Sequence, residues 1–154
     1  MKVRRNKGFT LVEILIAVLA SAIVILAAAT CLVIGHRILG RAWRMTNLQR
    51  DASFAMFVLE QHAKEGTKAT VQNGGTAATI YDINNSWMSF SFLSVTNELQ
   101  RQAEGQPPQT IIGNVENLLF TVQENRLEIY MELKKDDLMT HLASTVTMRN
   151  YGLL

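Results

Sequence analysis

The chain has 154 residues, 15 basic against 13 acidic, a formal net charge of +2 and 48% hydrophobic residues, enough for one modest folded domain beyond any anchoring segment. Lys2, Arg4, Arg5 and Lys7 supply four of the positive charges, and without them 11 basic residues face 13 acidic ones, which argues against a nucleic-acid binder. The single cysteine, Cys31, excludes an intrachain disulfide and a cysteine metal site.

The first segment combines those four basic residues with Gly8, Phe9 and one carboxylate, Glu13, at the mouth of an apolar run over residues 14–34. No further charge occurs until Arg37. As a helix the run is about 31 Å long at roughly 1.5 Å per residue. That length matches the roughly 30 Å hydrocarbon core of a bilayer, where a lone crossing segment has to be helical to satisfy its backbone. The basic cluster predicts a cytoplasmic N-terminus with the remainder on the other side. A secretory signal is a competing reading, with Leu19-Ala20-Ser21-Ala22 imitating a cleavage site, but the run exceeds the usual h-region and opens on an acid. A lipoprotein signal at Cys31 is another, poorly matched by Ala28-Ala29-Thr30. A plain anchor would leave Glu13 without a purpose, since carboxylates near lipid are costly and a structural residue there would not require an acid.

Lys7-Gly8-Phe9-Thr10-Leu11-Val12-Glu13-Ile14-Leu15 resembles the leader and cleavage site of type IV pilins and type II secretion pseudopilins, and the hydrophobic run follows as that family requires. The resemblance implies cleavage after Gly8 by a prepilin peptidase, which also methylates the new N-terminus at Phe9. It makes Glu13 the partner of the N-terminal amine of a neighbouring subunit. Burial of an amine and a carboxylate is partly offset by pairing them. Such a pair sets neighbouring subunits apart by the rise from Phe9 to Glu13, roughly 6 Å. The mid-span proline of many major pilins is missing here.

Beyond the span the pattern turns amphipathic. Ile38, Ala42, Met45, Leu48, Ala52, Ala55, Met56, Leu59 and Ala63 recur every three or four residues, predicting a helix with one buried stripe that continues to about Glu65, with Gly66 as its C-terminal cap. Residues 67–78, with Asn73-Gly74-Gly75, read as a loop. The period then changes to two. Strands are expected over residues 79–83, 87–95, 98–102, 117–122, 127–133 and 145–148, with a turn at Glu124-Asn125 and a connection at Asp136-Asp137. Short, locally connected strands predict an antiparallel sheet, and the helical stripe supplies its cover.

These elements define an α+β fold: leader 1–8, transmembrane and assembly helix 9–35, amphipathic helix 36–66 and antiparallel β head 67–154. Val115-Glu116-Asn117-Leu118-Leu119-Phe120, the 127–133 strand, Val146-Thr147-Met148-Arg149-Asn150 and Arg50-Asp51 resemble J-type minor pseudopilins of type II secretion and W-type minor pilins. The resemblance implies a minor subunit in a filament tip or priming complex. Its partners would be the prepilin peptidase, other pseudopilins or pilins, an inner-membrane assembly platform and membrane lipid, with the head in the periplasm. The alternatives are a minor pilin of a surface pilus and a membrane-anchored binding domain that never polymerises. His36, His62 and His141 lack ligand-spaced companions, and Asp136-Asp137 lacks the alternating spacing of a calcium loop. Trp87 and the phenylalanines read as core, and Ser21 and Thr30 as bonding to the backbone of their own helix. With no nucleophile–base pair or phosphate loop, neither an enzyme nor a cofactor is expected.

Overall fold

A computed structural model describes residues 9–149; residues 1–8, where the leader and its cleavage residue Gly8 are expected, and residues 150–154 lie outside the described part. One helix, α1 (Leu11–Glu65), is followed by eight strands: β1 (Lys68–Gln72), β2 (Ala77–Tyr81), β3 (Trp87–Leu93), β4 (Glu98–Ala103), β5 (Gln109–Ile112), β6 (Val115–Gln123), β7 (Arg126–Lys135) and β8 (Leu138–Thr147). The chain divides into two compact units, Met1–Trp43 and Arg44–Leu154, so the boundary falls inside α1.

In the second unit α1 buries Leu48, Ala52, Ala55, Met56, Leu59 and Ala63, and Met45 is partly buried against the core. Ile38 and Ala42 were expected on the same stripe and instead lie exposed in the first unit. Helical spacing alone does not show how far along a helix its cover extends.

The head is antiparallel throughout, but it forms two sheets rather than the single one expected: β1-β2-β3-β4-β5 and β6-β7-β8. The break falls at Gly113-Asn114, where Asn114 adopts φ 61° and turns the chain out of the first sheet. Two backbone bonds stitch the join, Val115 N–H to Asn97 O at 2.9 Å and Lys134 N–H to Asn114 O at 2.9 Å. Phe90 and Leu99 from the first sheet meet Phe120, Leu118, Leu127, Ile129, Met131 and Leu133 from the second in one fully buried core beneath Leu59 of α1. Strict alternation along β7 places Leu127, Ile129, Met131 and Leu133 in that core.

Two strands fall where none was expected. β1 lies in the stretch read as a loop, where Thr70 and Val71 pair with Thr79 and Ala78 across a turn at Asn73-Gly74-Gly75. That Asn-Gly pair marks a hairpin, not the end of ordered structure. Gly75 holds φ 103° and lies against the Leu119 side chain, a position with no room for a Cβ. β5 follows Pro107-Pro108, which masked the β-branched Thr110, Ile111 and Ile112 behind it. β8 is also longer than the expected 145–148 strand. It begins at Leu138, immediately after the two-residue Asp136-Asp137 turn.

Gly66 follows the last residue of α1, where the C-terminal cap was expected. It is not among the positive-φ glycines, and its N–H bonds to His62 O at 3.1 Å and Ala63 O at 3.3 Å. A Cβ on Gly66 would stand 2.6 Å from Ile80 Cγ2, so close packing against β2 explains the glycine. Thr67 then anchors the exit, its hydroxyl donating to Tyr81 O at 3.0 Å and Asp82 O at 3.1 Å.

Candidate processing and assembly site

The site is built on the first turn of α1. Phe9 and Thr10 precede the helix, and Phe9 is 83% exposed. Thr10 is the N-cap: its carbonyl takes the first helical bond, from Ile14 N–H at 3.2 Å, and its hydroxyl oxygen accepts from Glu13 N–H at 3.3 Å. Glu13 answers reciprocally. Its Oε2 accepts from the Thr10 N–H at 2.9 Å and from the Thr10 hydroxyl at 3.1 Å. This is a capping box, in which an N-cap threonine and an acid three residues later satisfy one another's amides. A carboxylate here also faces the positive end of the helix dipole.

The box corrects the view that a structural residue at Glu13 would not require an acid. Thr10-Leu11-Val12-Glu13 ahead of an apolar run is its sequence signature, legible from the start. The cap's bonds engage Oε2 and the Glu13 amide, and Oε1 takes part in none of them among the described residues. The carboxylate is therefore oriented by its own chain, at the same end of the helix as exposed Phe9.

Behind the cap, Leu11, Ile14, Leu15, Ile16, Val18, Leu19, Ile23 and the residues through Ile34 expose their apolar side chains. α1 is long and apolar enough to cross a membrane, and none of its most apolar window is buried in the fold. Ser21 Oγ donates to Val18 O at 2.9 Å and Thr30 Oγ1 to Leu26 O at 2.8 Å, so both hydroxyls are satisfied within the helix as expected. Cys31 is a free, exposed thiol.

The other candidate residues are dispersed. His36 and His141 are exposed, whereas His62 packs on Phe90 with ring centroids 5.8 Å apart. Burial holds the His62 pKa below its ordinary value; nearby Glu65 opposes this shift and Arg101 reinforces it. Asp136 and Asp137 form the β7–β8 turn, with Asp136 at φ 56°. No cluster of three or more metal-ligating side chains occurs among the described residues. Phe90 and Phe120 are core, as expected, but Phe54 and Phe57 of α1 are 58% and 64% exposed.

A helix long and apolar enough to cross a membrane, opening on a capped carboxylate and followed by an antiparallel β head, defines an α+β protein compatible with single-pass anchoring. Residues 3–29 match the family described as the prokaryotic N-terminal methylation motif, so the N-terminal segment of this chain is similar to that of type IV pilin-like proteins. No curated protein and no solved structure matches the chain.

Proposed function

We propose that this chain is a minor pseudopilin, a non-enzymatic structural subunit of a type II secretion filament that supports protein export. In this reading the peptidase cuts between Gly8 and Phe9 and methylates the Phe9 amine. The mature helix stays in the inner membrane until it is incorporated, with its head in the periplasm. The observation that carries the reading is Glu13, held by Thr10 at the head of an exposed apolar helix, with Oε1 outside the cap. A neighbouring subunit's amine meets an acid that is already oriented, so little side-chain entropy remains to be lost on pairing.

The test is mass spectrometry of the chain purified from cells with and without the prepilin peptidase. The reading expects a chain that begins at methylated Phe9 only when the enzyme is present. An intact Met1 in both strains, or a lipidated Cys31, overturns it.

A further inference from the structure

We propose that the outer edge of β8 docks an extended polypeptide segment carrying Lys or Arg at alternate positions. The two sheets have four edge strands, and an unprotected edge offers a row of backbone donors and acceptors to any passing strand. Three of the four are blunted. β1 is five residues long and opens on Lys68. β5 is four residues long, follows two prolines and joins β4 through an irregular register at Leu99/Gln100. β6 has a register shift between Val115 and Asn117, with Glu116 inside it held by Lys134 at 3.6 Å.

β8 carries none of these devices. It spans ten residues, Leu-Met-Thr-His-Leu-Ala-Ser-Thr-Val-Thr, with no Lys, Arg, Asp, Glu, Pro or Gly. Its register with β7 is unbroken from Arg126↔Thr147 to Lys135↔Leu138. No described strand pairs with its other side. Its inner-face residues Thr140, Leu142 and Ser144 are only half-buried, although their β7 partners Leu133, Met131 and Ile129 are fully buried. Ser144 already bonds Glu60 of α1, and an added strand would complete the burial of Thr140 and Leu142.

Charge identifies the occupant. The outer row of β7 reads Arg126, Glu128, Tyr130, Glu132 and Lys134, with Lys134 paired to Glu116, so its two acids stand at the centre, directly opposite Thr145 and His141, with Ala143 between them opposite Tyr130. An incoming strand lies two spacings from β7, about 9.6 Å, within reach of a Lys or Arg side chain laid across the short Ala143 and Thr145 side chains. Acidic residues at the same positions would face like charge. The segment that fits presents basic residues on the outer face and small apolar ones toward Leu142, the alternation that strand addition reads.

The test uses the full chain in detergent micelles and three synthetic nine-residue peptides: alternating Lys and Val, the same with Glu for Lys, and Lys and Val in blocks. Hydrogen exchange of the β8 amides and the binding constant are read together. The alternating Lys peptide should protect residues 138–147 and bind about tenfold more tightly than the Glu peptide, the sum expected of two exposed cross-strand ion pairs. Ala143→Lys with Thr145→Lys, both at exposed positions, should leave the thermal midpoint unchanged and abolish that protection. Should the double variant lose its fold, Glu128→Gln serves instead and should narrow the gap between the Lys and Glu peptides. Equal protection by all three peptides, or by none, overturns the proposal. So does concentration-dependent protection of β8 without peptide, which would assign the edge to a second copy of this chain.

Discussion

The Ser144 hydroxyl donates a 2.6 Å hydrogen bond to Glu60 Oε1, tying β8 to α1 across 84 residues of sequence. Lys64 holds the other carboxylate oxygen of Glu60 at 3.2 Å. The Ser144 bond, with a smaller contribution from Lys64, keeps the Glu60 pKa below its ordinary value against the opposing effect of burial. A carboxylate with a depressed folded pKa contributes stability that is complete above its unfolded pKa and lost as pH falls through the folded one. Ser144→Ala should therefore lower stability by about 1 kcal/mol at neutral pH, and less below pH 4. Thermal melts of variant and parent between pH 7 and pH 3.5 check this; a constant difference across that range would contradict it.

The capping box separates two roles of Glu13. Glutamine can return the cap to the Thr10 amide but cannot neutralise an ammonium. Glu13→Gln should keep the first turn of α1 intact and still impair incorporation into filaments. Glu13→Ala should impair it as well and also fray the turn, at a cost of about 1 kcal/mol. Cross-linking to filament partners measures the first effect, and amide exchange at residues 11–14 in micelles measures the second. Normal incorporation of the Gln variant would leave the cap as the whole purpose of the acid.

His62 titrates against its own packing. Its folded pKa lies below the unfolded value because burial against Phe90 disfavours the charged ring. The unfolded chain thus takes up the proton first, and stability should fall as pH drops through the ordinary histidine range, about 6.5. Denaturant melts at pH 7.5 and pH 5.5 should show this loss in the parent and a smaller one in His62→Gln.

Gly66 should resist replacement despite its unexceptional backbone. Gly66→Ala drives a methyl group into Ile80 Cγ2 at the joint between α1 and β2. A loss of about 1–3 kcal/mol is expected, as for overpacking elsewhere. A thermal midpoint equal to the parent's would show that the joint opens without strain.

Much of the chain could be read from its residues because the signals are local. The motif over residues 7–15, the apolar run, the spacing from Leu48 to Ala63 and the alternation of β7 each depend on neighbours within a turn or two of backbone. The Thr10–Glu13 cap was equally local. Its signal is a threonine and an acid three residues apart ahead of an apolar run.

What tertiary structure decided is where long-range pairing overrides composition. The small polar stretch after Thr67 becomes β1 only because β2 offers it a ladder, and the sheet divides at Asn114 because the chain there turns toward β7. The blunted and unblunted edges, the reach of Ser144 to Glu60 and the exposure of Phe54 and Phe57 depend on which elements become neighbours. Sequence order encodes local periodicity directly, but neighbours far apart in the chain are selected by the packing of the whole core, and no single segment carries that information.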